Sequence, residues 1–216
     1  MASVAISQSD HLANVDVFDA DLDQSAFEMA LRASVLAWDT ETTGLDWHRD
    51  RIGTVQLQVD DRTCIVRISG HVPHRLKILL EDSSVLKIMH HAMFDLRFLV
   101  KNWDAAPRNV ACTKIAAKLA HPDAEPGEHS LALLVLRYFG VTMDKSLRLS
   151  DWTSDVLDSS QLRYAADDVR YLWPLYERLD HEIRRKKLLG LRDRCYAHLM
   201  TRVELELRGY TDVFAY

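Results

Sequence analysis

Residues 35–45 read VLAWDTETTGL, an apolar run that stops in two acids one residue apart. The run has the length and composition of a buried strand, and residues i and i+2 of a strand point to the same face. Asp39 and Glu41 are therefore expected side by side at the end of a core element. Two like charges so placed repel, and a cation or a shared proton relieves the repulsion. No lysine or arginine lies within the segment. Ligation by carboxylate oxygens alone suits Mg2+ or Mn2+. A strand end whose acids merely face solvent is the plainer alternative, and the motif by itself does not decide between them.

The remaining pattern sets the class of fold. A helix is expected over 21–33, capped by Asp21 or Asp23. Strands follow over 35–41, 52–59 and 63–68, the second alternating Val55, Leu57 and Val59 with polar neighbours. A helix over 73–80 leads to a short strand in LKIMHH, and helices are expected over 92–100, 113–120 and 130–139. After the turn at Ser150, Asp151 and Trp152, a long helix starts near Ser159 and runs past Glu177. A final basic and apolar helix covers roughly 188–207. Adjacent strands followed by alternating strands and helices describe an α/β domain with a mixed sheet and helices on both faces.

Bulk properties exclude several classes. The length of 216 residues suits one domain. No window approaches the ~18 uninterrupted apolar residues of a membrane span, so no membrane partner is expected. The N-terminus lacks a basic start and a sustained apolar stretch, so a secretory leader is not expected. Cys64, Cys112 and Cys195 offer neither a disulfide framework nor a zinc knuckle, which fits a reducing cytoplasm. The net charge of −5 argues against a nonspecific coat for long duplexes. It is compatible with a short strand held in one cleft, where metal ions supply positive charge.

Two more segments carry acids in unusual places. Asp95 stands among Phe94, Leu96, Phe98 and Leu99, where it could cap a turn, pair with Arg97 or take part in chemistry. In QLRYAADDVRYLWPLY, Tyr164 and Asp168 lie one helical turn apart on one face, with Asp167 about a quarter turn away. A tyrosine hydroxyl there could simply satisfy a buried polar group.

Jointly and in this order, D-x-E at a strand end, H-x-x-F-D at a strand–helix junction and Y-x-x-x-D on a late helix resemble the DEDD superfamily of 3′–5′ exonucleases, in its tyrosine branch. WDTETTGL, GTVQLQV, CTKIAAKLA, HSLALLVLRYFGV, DKSLRLSDWTS and QLRYAADDVRYLWPLY read like ribonuclease D and its short relatives over about residues 25–180. The resemblance implies a ribonuclease H-like fold, with a mixed five-stranded sheet and helices on both faces. It places the exonuclease domain at 21–182, between a loose segment 1–20 and a helical extension 183–216 of the same domain.

The same resemblance implies a site. Two divalent cations, Mg2+ or Mn2+, would be held by Asp39, Glu41 and Asp168, with Asp39 bridging to the second and Asp95 reaching it directly or through water. Tyr164 would orient the attacking water and Lys145 would meet substrate phosphate. Thr42 and Leu45 would cradle the terminal nucleotide, and His91 and Phe94 would line the pocket, His91 not as a ligand. Trp152 is expected as a packing anchor, and the run Arg184 to Lys187, with Arg192 and Arg194, as a solvated helical face. The helical domains that follow the exonuclease domain of full-length ribonuclease D are not expected here, and the chain looks like the short branch that includes nanoRNase C. The expected substrate is then short RNA, shortened from its 3′ end with release of nucleoside 5′-monophosphates. A same-fold enzyme for DNA ends and a catalytically silent binding module are the alternatives. Tyr210, Phe214 and Tyr216 leave apolar surface that suits a homo-oligomer.

Overall fold

The computed structural model of the chain describes Leu12, residues 14–213 and Ala215. Its strands are β1 (Val15–Asp19), β2 (Val35–Thr42), β3 (Ile52–Val59), β4 (Arg62–Arg67), β5 (Leu86–Met89) and β6 (Val110–Cys112). They form one sheet in the order β1-β4-β3-β2-β5-β6. β3 is antiparallel to both its neighbours and every other pairing is parallel. The sheet is mixed, as expected, but has six strands rather than five. The segment expected to be loose up to residue 20 contributes β1, which is tied to β4 by parallel pairing and by the Arg62–Asp16 and Arg67–Asp19 ion pairs. Its alternating acids hide an edge strand that is only partly covered. β6, at the opposite edge, is too short to carry a period.

The helices are α1 (Gln24–Arg32), α2 (His74–Glu81), α3 (Met93–Trp103), α4 (Thr113–Ala120), α5 (Leu131–Phe139), α6 (Ser159–Arg170), α7 (Leu172–Arg185) and α8 (Leu189–Leu207). Side chains of β2 alternate between two cores. Leu36 and Trp38 pack with α1, α2, α3 and α8, whereas Ala37 packs with α4, α5 and α7. A smaller cluster joins Ile65 of β4 to Trp152 and to Tyr164 and Ala165 of α6. Asp23 caps α1 by accepting from the Ala26 N–H.

Two helical expectations need correction. The helix expected to run unbroken from Ser159 past Glu177 divides at Tyr171 into α6 and α7. Pro174 has no N–H for the Arg170 carbonyl and its ring crowds that carbonyl, so the helix cannot continue through it. The expected solvated basic face also fails at Arg192, which is buried. Its guanidinium pairs with Asp180 and Asp193 and lies over the rings of Tyr176 and Tyr196, joining α7 to α8. Tyr210 is exposed, while Phe214 and Tyr216 lie outside the described residues. No described helix is long and apolar enough to cross a membrane.

The end of β2 is shaped by a bulge. Glu41 pairs with Thr54 but Thr42 pairs with Ile52, so Gly53 is the extra residue of β3, and such an insertion bends and twists the strand. The backbone of buried Trp152 closes on this point. A Cβ at residue 53 would lie 2.6 Å from the Trp152 carbonyl oxygen. Gly53→Ala is therefore expected to destabilise the protein by about 1–3 kcal/mol, the usual range for overpacking. Gly127→Ala, where the added carbon meets nothing within 4 Å, serves as the neutral control in the same urea titration.

Candidate active site

The four acids of the ordered pattern and Tyr164 converge at the C-terminal end of β2. Asp39 and Glu41 stand on the face that bears Ala37, under α6. Helix α6 starts in a capping box of Asp158 and Gln161, and the Gln161 amide also donates to Ser150 Oγ and the Asp151 carbonyl. Those bonds tie the helix entrance to the turn that buries Trp152, whose ring packs 5.6 Å from that of Tyr164. The anchoring sets Tyr164 and Asp168 over the strand end. Asp39, Glu41 and Asp168 each offer an oxygen, and the three atoms lie within 4.8 Å of one another. Asp167 turns aside to an ion pair with Arg170.

Asp95 reaches the site from the other helical layer, in the first turn of α3, and is buried. Helix α3 has no side-chain cap, and a carboxylate in its first turn faces free N–H groups and the positive end of the helix dipole. Arg97 is not its partner, since that guanidinium pairs with Glu206 of α8 at 3.1 Å. The connection from β5 to α3 turns at His91, which takes a left-handed φ of 60°.

Burial dominates the electrostatics, and the crowding of the acids adds to it. Burial, then the Asp168 charge, pushes Asp39 up to about 7. Burial, then Asp39 and Asp168, pushes Glu41 up to about 10. Asp95 is raised by burial and by Asp39, against the pull of backbone hydrogen bonds at Asp95 and Thr40. Asp168 is raised by burial and held back by Lys145, with which it forms an ion pair. The same ammonium lies 5.1 Å from the centre of the Tyr164 ring. Burial and the Asp168 charge raise the Tyr164 phenol, which keeps its proton at neutral pH. An all-oxygen cluster of acids that resist ionising, with one lysine to offset them, fits hard divalent cations. Asp39, Glu41 and Asp168 could hold one ion, and Asp39 with Asp95 a second.

The acids floor a cavity of about 500 Å3 that also includes Thr42, Leu45, His91, Phe94 and Lys145. Every residue expected at the site lines this one space. Their roles are more constrained than the sequence implied. The Thr42 hydroxyl donates to the Gly44 carbonyl at 2.6 Å, so its proton holds the turn. Sequence reasoning missed His90, Leu131, Arg148, Leu149 and Ser150, which also line the cavity. Leu149 is 85% exposed and Leu45 64%. The available signal was Leu149, which alternates with Leu147 in the polar loop that follows Asp144. His90 pairs through Nδ1 with Thr113 Oγ1 at 2.9 Å, and burial with nearby Lys114 pushes it down to about 3.

Comparison with known proteins places the chain in a family. A family profile described as 3′–5′ exonuclease matches residues 15–184. Ribonuclease D of Haemophilus influenzae is 32% identical over 158 residues, which cover 72% of this chain and 38% of that protein. The chain spans less than half the length of the ribonuclease D relatives it matches. NrnC of Brucella melitensis, in a structure with bound Mg2+, superposes with a TM-score of 0.85 at 33% identity, over 94% of this chain and 99% of that one. Another structure of the same protein is bound to pGG. Ribonuclease D of Escherichia coli superposes with a TM-score of 0.75 at 28% identity, over 86% of this chain and 50% of that one.

Burial and crowding of Asp39 predict an unusual response to pH. In the unfolded chain Asp39 loses its proton near the ordinary ~3.9, whereas in the fold it does so at about 7. The unfolded state therefore binds fewer protons between those values, and metal-free stability falls as pH rises through that window. Asp39→Asn removes this contribution. Its melting temperature in EDTA should match wild type near pH 4, exceed it by several degrees at pH 7 and above, and lose that advantage when Mg2+ is added. Calorimetric melts at each pH measure the difference.

Proposed function

The chain belongs to the DEDD 3′–5′ exonucleases, in the tyrosine branch with ribonuclease D and NrnC, and on that footing we propose that it hydrolyses RNA from the 3′ end with two divalent cations. The observation that carries the reading is the convergence of Asp39, Glu41 and Asp168 oxygens within 4.8 Å, with Asp95 beside Asp39 and Tyr164 above them. Water attacks the last phosphorus, the bond to the preceding 3′ oxygen breaks, and that oxygen takes a proton. The products are a nucleoside 5′-monophosphate and a strand one residue shorter.

The ions, when bound, lower the pKa of water and offset charge that develops on the phosphate oxygens. The chain's own groups do the positioning. Tyr164 keeps its phenolic proton and orients water through a fixed hydroxyl, so it is not the free base. Lys145, paired with Asp168, is placed to turn to a substrate phosphate as a compact positive charge. Leu45 and Phe94 supply apolar surface for the terminal base and sugar, and His91 borders the same pocket.

Short RNA is the favoured substrate. One concave site of about 500 Å3 and a net charge of −5 suit a ligand with few phosphates better than a long strand. The match to NrnC over nearly its whole length supports the same choice. The half-exposed Leu133 and Leu136 on α5, with Tyr210, support self-association.

A time course with Mg2+ or Mn2+ on 5′-labelled RNA dinucleotides, RNA twenty-mers and matched DNA tests the proposal. Rapid loss of the dinucleotide with slow attack on the others is expected. A ladder on long RNA or DNA would instead mark a general exonuclease. Asp39→Asn should cut kcat by at least about 10³-fold, as expected when a group at the reacting centre is lost, and Tyr164→Phe by about 10²-fold. A wild-type rate from Asp39→Asn would remove the assignment, and no metal-dependent product from any strand would favour a binding module.

A further inference from the structure

β2 and β3 pair so that Asp39 lies opposite Gln56 and Glu41 opposite Thr54. Residues opposite one another in an antiparallel pair share a face, with Cβ atoms about 4.5–5.5 Å apart. Thr54 and Gln56 thus stand beside the two carboxylates, and both are fully buried. On its far side Gln56 faces Ile65 of β4, over which Trp152 and α6 close.

A glutamine in such a place has to satisfy both ends of its amide. Nε2 lies 2.5 Å from Thr54 Oγ1, while Oε1 has no partner. A buried acceptor left unmet costs about 1–3 kcal/mol. The two ends of the amide exchange places by a half-turn, and the hydrogen-bond network decides between them. In the reversed orientation the Thr54 hydroxyl donates to Oε1, and the amide nitrogen takes the orphaned position. Of the two cross-strand neighbours on that face, Asp39 and Ile65, only Asp39 can accept.

We propose that Gln56, braced by Thr54, is a positioning residue that donates through its amide to the Asp39 carboxylate and fixes the oxygen that Asp39 turns toward the cation. The inference rests on Asp39 being a metal ligand. A neutral donor suits the position. A lysine would discharge the carboxylate and compete with the ion, and an apolar residue would leave Asp39 free to rotate. Groups that orient a ligand in this way typically matter by about 10–100-fold in affinity or activity.

The test uses the full chain with Gln56→Leu, Thr54→Val, Thr54→Ser and Asp39→Asn. Gln56→Leu should lower kcat on a labelled RNA dinucleotide by about 10–100-fold with KM within about twofold. Calorimetric titration of Mn2+ into the nucleic-acid-free protein should show affinity weakened about tenfold. The melting temperature in EDTA should fall, since the bonds of the Gln56 amide to Asp39 and Thr54 are both lost. Thr54→Val should move both kcat and Mn2+ affinity in the same direction and Thr54→Ser should restore them. Gln56→Leu with both quantities at wild-type values would overturn the proposal. If Gln56→Leu fails to fold, Thr54→Val decides, and its indifference would reduce Gln56 to packing. Asp39→Asn that still binds Mn2+ and turns over like wild type would overturn the ligand reading itself. Loss in Asp39→Asn beside an unaffected Gln56→Leu would overturn only the role of Gln56.

Discussion

Like charges forced together at the end of β2 govern the rest of this molecule. Carboxylates left to themselves move apart or take up protons, and here the sheet prevents the first. β2 is the hinge between two helical layers, with β3 and β5 bonded on either side, so Asp39 and Glu41 cannot swing away without breaking the core. The other acids arrive from opposite directions. Asp95 comes from α3 on one face of the sheet and Asp168 from α6 on the other. Stability is given up locally to hold a cluster of oxygens that suits a cation, and the apolar layers on both faces offset that loss.

Support for the site is less visible than the acids and as specific. Gly53 admits the Trp152 backbone, Trp152 underlies Tyr164, and Gln161 fastens the helix entrance to the same turn. This chain of contacts fixes the angle at which α6 crosses the strands. The positions of Tyr164 and Asp168 are thereby set by residues that do not line the cavity.

Much of this was legible in the residues themselves. A period of two carried Asp39 and Glu41 to one face, and a spacing of four did the same for Tyr164 and Asp168. Asp167 was separated from Asp168 by the same reasoning and does turn elsewhere. What sequence could not supply was set by partners distant along the chain. β1 exists because β4 offers it an edge, and β6 because β5 does. Arg192 reads as a surface cation until two tyrosines and two aspartates from α7 and α8 surround it. Pro174 was a readable signal that the strong apolar period of the surrounding helix overrode. The pocket wall from Leu131 and Leu149 had no period at all, since one opens a helix and the other sits in a loop.

Helix α8 bears on how the chain acquires its shape in time. Leu199 and Val203 fill the same core as Leu22, Ala26, Leu36 and Trp38, and Arg97 finds its partner 109 residues later in Glu206. Contacts of that separation are paid for in loop entropy before they return anything. During synthesis the apolar surface that α3 and β6 turn toward α8 would therefore stay uncovered until the segment 189–207 has left the ribosome. The nascent protein spends that interval as the kind of half-clad intermediate that chaperones hold.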